Sequence, residues 1–546
     1  MEDGSFTRDR IQGKGKQLTE REKYILAIDL GTSGPKTALI SKYGDVLACE
    51  FEATPVLLSP GGGAEQDAEG WWKAVMTTAK KVLAQSRVRA EDILAVSVTS
   101  QWSGTVAVDS LGRPLMKAII WMDCRGAEAM SEFLKGMIRI SGYPLFKLLT
   151  WLRLTGGAPA RSGKDSLSHI LWIKKNRPEV YRETFKFLDP KDFINLCLTG
   201  RFAATFDSIL LYWVTDNRHP DRIAYSDRLI KTAGLRREKL PDLIQAMDIL
   251  GPLKKEVALE LGLLPSIPVI GGTPDVHSAG IGSGAVRDYE GHLYIGNSSW
   301  ISAPVPFKKT DLGHNFGSFP SPISGRYLIL SEQESAGKCL AWLSENIFPP
   351  WPEPKDGGEV TEVYWLMDRI VAEVPAGANG VIFTPWLYGE RTPVEDPCIR
   401  SSFFNLSLEN TRADMVRAVF EGIALNARWL LNPIEAFMKR PFPSLNFIGG
   451  GANSDPWAQI LADVLDRKIR QVKDPIYANV RGAAFLAFMA LNILKMEDIP
   501  RAVRIKAEYF PEPVRHKLYD ELFSEFVRHY RSQKKICERL NKTIRK

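Results

Sequence analysis

Residues 24–40 read YILAIDLGTSGPKTALI: two apolar runs hinged on a polar, glycine-framed turn, with Asp29 at the end of the first run. This grammar predicts a hairpin, Ile25 to Ile28 as a buried strand and Lys36 to Ile40 resuming as a second strand after the turn. An Asp ahead of such a turn often only accepts nearby backbone N–H bonds. The whole segment supports a second role. Backbone N–H groups, the hydroxyls of Thr32 and Ser33 and the amine of Lys36 converge on one point, which suits a phosphate. Asp29 beside a polyphosphate then suits an intervening Mg²⁺, an ion that favours oxygen ligands and water.

Moving outward, KYGDVLACEFEA (42–53) predicts a third strand of an antiparallel meander, and Asp67 caps the helical pattern of residues 68–85. ILAVSVTSQW (93–102) returns as a buried strand, and residues 105–126 predict a further hairpin with a Gly turn. From about Gly126 to Leu264 the pattern is mostly helical and irregular. At IPVIGGTPDVHSAGIGSGAV (267–286) an apolar strand runs into paired glycines and Asp275, and HLYIGNSSWISAPV (292–305) then repeats the opening grammar, with RYLIL (326–330) as its third strand. Such an internal duplication implies two related halves facing a cleft. In LNFIGGGANSDPW (445–457) a strand meets three glycines, where bare backbone admits a flat ring or a phosphate. Asp455 is the expected N-cap of the helix that follows, with Pro456 in its first turn. Thr411 and Asp414 predict a capping box ahead of a scaffold helix.

A chain of 546 residues, 45% hydrophobic, exceeds one ordinary core, so two domains are expected. Residues 528–546 carry eight Lys/Arg against one Glu, a surplus equal to the whole formal charge of +7. The basic character therefore belongs to one C-terminal helix and gives no case for a nucleic-acid partner. Six scattered cysteines without a CxxC pair read as reduced cytoplasmic thiols. No apolar run approaches the ~18 residues of a membrane span, and the first 23 residues lack the apolar core of a signal peptide.

Neither GxxxxGK[ST] nor GxGxxG is present. What remains is two clasps, a late glycine cluster and two strand-end aspartates. Phosphoryl transfer asks little more than a metal, donors around the phosphates and a base near the acceptor hydroxyl. Asp29 serves the metal; Asp275 accepts the proton and also faces the metal.

The ordered set DLGTSGPK, GGTPDVHSAGIGSG, GNSSW and GGGANSDPW resembles the FGGY family of carbohydrate kinases from about Tyr24 to Leu494, and AEQDAEGWW with GRPLMKAIIWMDCR is most similar to its xylulokinase branch. The resemblance implies an α/β fold of two duplicated actin/Hsp70/hexokinase-like (ribonuclease H-like) domains around an interdomain cleft. The expected division is a flexible extension over 1–23, a sugar-binding domain over 24–272, a nucleotide-binding domain over 273–500 and a basic helical extension over 501–546. It implies ATP and Mg²⁺, with Gly31, Thr32, Ser33, Lys36, Gly296, Asn297, Ser298, Gly450, Gly451, Ala452 and Asn453 at the nucleotide, and Gln101, Trp102, Ser103, Asp275 and Val276 at the sugar. The partner is a small sugar or polyol, with no nucleic acid or membrane, and a homodimer is compatible. Departures cluster around the sugar: Trp102 and Ser103 stand where xylulokinases usually have Met and His, and Val276 where they have Asn. The implied activity is phosphorylation of a pentulose-like sugar. Alternatives are a kinase for ribulose, a deoxy-sugar or a glycerol-like polyol, or an actin/Hsp70-like ATPase. Glycerol is disfavoured, since the Arg-Glu pair of glycerol kinases is absent after Gln101. His277 reads as a wall residue, and Asp123 and Arg125 either touch substrate or pair with each other.

Overall fold

Tyr24–Gly31 (β1) is buried from Ile25 to Leu30 and pairs antiparallel with Gly34–Ser41 (β2), setting Asp29 opposite Lys36. The protein is seen here as a computed structural model that describes residues 21–140, 142–348 and 360–541. The expected 1–23 extension thus lies, but for its last three residues, outside the described residues. Val46–Phe51 (β3) completes the meander, and Asp67 caps Ala68–Ser86 (α1) by accepting the Glu69 N–H. Ile93–Ser100 (β4) lies parallel to β1 and is buried on both faces, which explains its nearly unbroken apolar run. Pro190–Thr199 (α2) packs under β4. Ile249–Pro252 (β5) and Pro268–Ile270 (β6) finish a six-stranded sheet in the order β5-β6-β4-β1-β2-β3. Asp275–Gly282 (α3) follows β6. The hairpin expected over residues 105–126 forms only as bridges at Thr105–Ile119 and Val108–Pro114, because Val106–Val108 takes Lys186–Leu188 as its main partner.

The second half repeats these pairings. Gly291–Ile295 (β7) and Ser299–Ser302 (β8) form the hairpin; after Arg412–Met438 (α4), with its Thr411–Asp414 capping box, Ser444–Ile448 (β9) runs parallel to β7. Asp455–Leu465 (α5) leads to Lys468–Val472 (β10), parallel to β9, and Ala478–Ala490 (α6) to the antiparallel edge strand Ile505–Tyr509 (β11). Hairpin, two parallel strands and an antiparallel edge recur in both sheets, the duplication that the two turns announced.

Three expectations need correction. Tyr327–Leu330 pairs not with β8 but with Pro304–Val305, the continuation of the same run past Ala303. The N-cap of α5 is Ser454, whose Oγ accepts the Trp457 N–H, while Asp455 turns to Lys506 and Gln471. Residues 501–546 are no appendage where described: β11 belongs to the sheet, and the last helix, Pro513–Asn541 (α7), buries Tyr519, Phe526 and Tyr530 in the second core.

The halves are joined through a shared core in which Phe485 and Phe488 of α6 sit with Ile25, Ala27, Ala38 and Ile40 of the first sheet. Helices α3 and α6 cross backbone to backbone. A Cβ on Gly282 would lie 1.8 Å from the Ala478 carbonyl oxygen, and one on Gly482 would lie 1.8 Å from that of Ser278. Only glycine permits this approach, and it fixes Asp275, at the head of α3, against both halves.

Candidate active site

The first clasp is held open by its own backbone. Gly34 has φ +142° and its missing side chain leaves room for the Glu52 carbonyl. Thr32 donates to Gln101 Oε1 (3.0 Å) and accepts from Trp121 Nε1 (2.9 Å), and Gln101 Nε2 reaches Gln66 (2.8 Å). Gln101 thus braces the turn of the first clasp. Lys36 donates to the Ile476 carbonyl across the halves (2.9 Å), and Ser33 is exposed.

In the second clasp Gly296 is half-buried and Asn297 exposed, while Ser298 is 9% exposed. The carbonyls of Gly296 and Asn297 accept from Gly337 and Ala336, which ties the turn to the segment behind it. At the third site Gly449 (φ +88°) lets its strand end approach the Ile295 carbonyl, and Gly451 faces Ile295 and Trp457. Gly450 is exposed, with no atom within 4 Å of where a Cβ would stand. Ala452 is buried and Asn453 exposed. An alanine at 450 should therefore leave the melting temperature unchanged. If the bare backbone receives the nucleotide, KM for ATP should rise roughly tenfold, as a misplaced contact of ~1.4 kcal/mol would cause; an unchanged KM removes Gly450 from the site.

Between the clasps lie two carboxylates. Asp29 is 8% exposed and its Oδ1 has no hydrogen-bond partner among the described residues. Its carboxylate caps no turn amide, so the turn-former role is not the one it plays. Burial raises its pKa, opposed by Lys36 and the Asn479 amide. Asp275 accepts the Val276 N–H at Oδ1 (2.8 Å). Burial first, then the charges of Asp29 and Glu332, push its carboxyl well above the usual range. Two neighbouring acids of like charge, Asp29 buried with an orphaned oxygen and Asp275 half-buried, fit a cation held with water and phosphate oxygens. Among the described residues no cluster of three or more His, Cys, Asp or Glu could hold a metal without such help.

The side chains expected at the sugar come from the first half and α3. Trp102 is half-buried, donates to the Ser208 carbonyl (3.3 Å) and meets the His277 ring edge to face at 5.4 Å. Ser103 holds φ +65° and gives its hydroxyl to the Lys164 carbonyl (2.7 Å). Val276 is half-buried. Asp123 and Arg125 pair with each other at 2.6 Å, Arg125 also reaching Glu65.

Several supports escaped the sequence reading. Lys191, fully buried, and Asn195 both donate to the Gly271 carbonyl (2.9 and 2.8 Å), and Asp207 accepts from Thr273, so the loop before Asp275 is pinned by the first half. Lys164 pairs with Glu334 across the halves at 2.7 Å, and Arg391 joins Glu334 and Glu332. The charges of DPKD (189–192), placed in an otherwise apolar segment, were the available signal for the first group.

Two related halves, each with a strand–turn–strand clasp, and an acidic pair where they meet define a phosphotransferase of the duplicated actin/hexokinase-like architecture. The chain belongs to the FGGY family of carbohydrate kinases: the family's N-terminal domain matches residues 24–282 and its C-terminal domain residues 307–491. It is 27% identical over 524 residues to the xylulose kinase of Staphylococcus epidermidis, covering 94% of this chain and 98% of that one. It is 28% identical over 532 residues to the xylulose kinase of Bacillus subtilis, covering 96% and 100%. The gluconate kinase structure from Lactobacillus acidophilus shares the fold, with a TM-score of 0.80 at 24% identity over 94% of this chain and 98% of that one. The protein is an ATP-dependent carbohydrate kinase. No helix among the described residues is long and apolar enough to cross a membrane.

Proposed function

We propose that this kinase phosphorylates a hydroxyl of a pentulose-like sugar in the cytoplasm, with Mg²⁺ beside Asp29. The observation that carries the reading is the acidic pair at the junction of the clasps. Asp29, through its unpaired Oδ1, and Asp275 would hold the ion directly or through water, and the ion would neutralise phosphate charge. Asp275 has Oδ1 engaged by the Val276 N–H, which leaves Oδ2 to take the acceptor proton. Burial and the neighbouring acids raise its proton affinity in the absence of the ion, and the ion would favour the ionised carboxylate that can accept that proton. Ser33 and the exposed turn of Asn297 face the phosphates, and Gly450, Gly451, Ala452 and Asn453 the nucleoside. The domain that binds sugar extends over 24–272 and the one that binds nucleotide from 273 onward. Xylulose kinases among the relatives and six free cysteines support substrate class and compartment. A homodimer is compatible with this reading and not required by it.

The sugar need not be D-xylulose. Trp102 and Val276 are apolar, and Ser103 has spent its hydroxyl on Lys164, so the wall offers few donors. A buried sugar hydroxyl without a partner costs ~1–3 kcal/mol. Across a panel of ketoses, deoxy-sugars and polyols in a coupled ADP-release assay, D-xylulose should be beaten in kcat/KM by another member. Introducing Trp102→Met, Ser103→His and Val276→Asn together should move preference back toward it. A wild type whose highest kcat/KM is for D-xylulose would contradict the wall argument.

A further inference from the structure

His277 has no place in the chemistry so far. It stands two residues beyond Asp275 on α3, 1% exposed, and neither Nδ1 nor Nε2 has a hydrogen-bond partner among the described residues. The other buried histidines each engage one nitrogen: His169 with Thr105, His292 with Trp300 and His529 with Ser402. The Pro320 carbonyl lies near enough to the His277 ring to act on it as a weak acceptor and the Asp207 carboxylate adds its charge, but neither makes a hydrogen bond of full distance and angle to either nitrogen. Buried polar groups are normally satisfied, and an idle pair points to a missing partner.

Its surroundings say what that partner is. The ring packs nearly perpendicular to Trp102, whose indole N–H the Ser208 carbonyl holds. An imidazole offers one N–H and one lone pair, and a hydroxyl supplies the matching acceptor and donor. Its neighbours in the wall cannot do this: Ser103 is committed to Lys164 and Val276 has no polar side-chain atom.

We propose that His277 binds a hydroxyl of the acceptor and thereby sets which polyol this kinase takes, an inference that rests on the acceptor-site reading above. The substrate class is a polyhydroxy compound that lays a C–H face on Trp102 while presenting a hydroxyl to His277. α3 thus brings to the pocket both the base and a specificity group.

The test compares kcat/KM of wild type, His277→Phe and His277→Asn for the best acceptor of the panel and for its singly deoxygenated analogues. Phe keeps a ring against Trp102 and removes both nitrogens. With no protein partner lost, the melting temperature should hold. The parent acceptor should lose roughly 10- to 100-fold in kcat/KM, mostly through KM, whereas one deoxy analogue should lose nothing further. Asn should restore part of the loss. An equal loss for every analogue, or none for the parent, overturns the proposal while leaving the kinase reading intact. If the Phe variant is unstable, the Asn variant decides by the same comparison across analogues. Should no polyol of the panel be phosphorylated by the wild type, the acceptor-site reading falls and the proposal with it.

Discussion

Asp275→Asn should lower turnover by a factor on the order of 10² or more while an ATP analogue still binds and the fold survives. Asparagine keeps the shape at the head of α3 and can still accept the Val276 N–H through its amide oxygen, so the helix start is preserved. What it loses is a site for the proton. The wild-type carboxyl is made more basic by burial, then by Asp29 and Glu332, and the amide has no such capacity. Because the loop behind it is pinned by Lys191, Asn195 and Asp207, the substitution should not displace the neighbouring wall. The effect should therefore fall on kcat more than on KM. Turnover near that of the wild type would remove Asp275 from the mechanism.

Asp29→Ala should produce the second large effect, through the metal. The Asp29 carboxylate makes no hydrogen bond to the turn that follows it, and its Oδ1 is buried and unpaired. Removing it takes a desolvated charge from the junction and costs only its contact with the Asn479 amide. The chain should fold, and the Mg²⁺ concentration for half-maximal activity should rise roughly tenfold or more, with reduced turnover at saturation. A magnesium titration checks this. An unchanged titration with normal turnover would mean that the carboxylate acts on neither metal nor phosphate.

The parts of this molecule written in local grammar were legible. The hairpin at Asp29, its echo at Gly296 and the glycine triplet all depend on residues a few positions apart, so propensity and turn chemistry reach them. Asp275 was visible because a lone acid after paired glycines stands out in an apolar run. Supports built from distant segments were not visible. Lys164 meets Glu334, and Asp207 meets Thr273, only once the chain is folded. Asp455 was the capping residue expected from sequence, but Ser454 takes the cap while Asp455 turns to Lys506, a partner some fifty residues on. The basic surface of α7 masked the stripe of Tyr519, Phe526 and Tyr530 on its other face. Nothing local in the sequence sets His277 apart from a wall residue. Only its two idle nitrogens do.

The most direct measurement is phosphorus NMR of the full-length protein with ATP, Mg²⁺ and the best acceptor of the panel. The account predicts a phosphomonoester signal that grows in step with ADP, is absent without acceptor and is suppressed in Asp275→Asn. Release of inorganic phosphate alone, at a rate no sugar or polyol changes, would make the cleft that of an ATPase and contradict it.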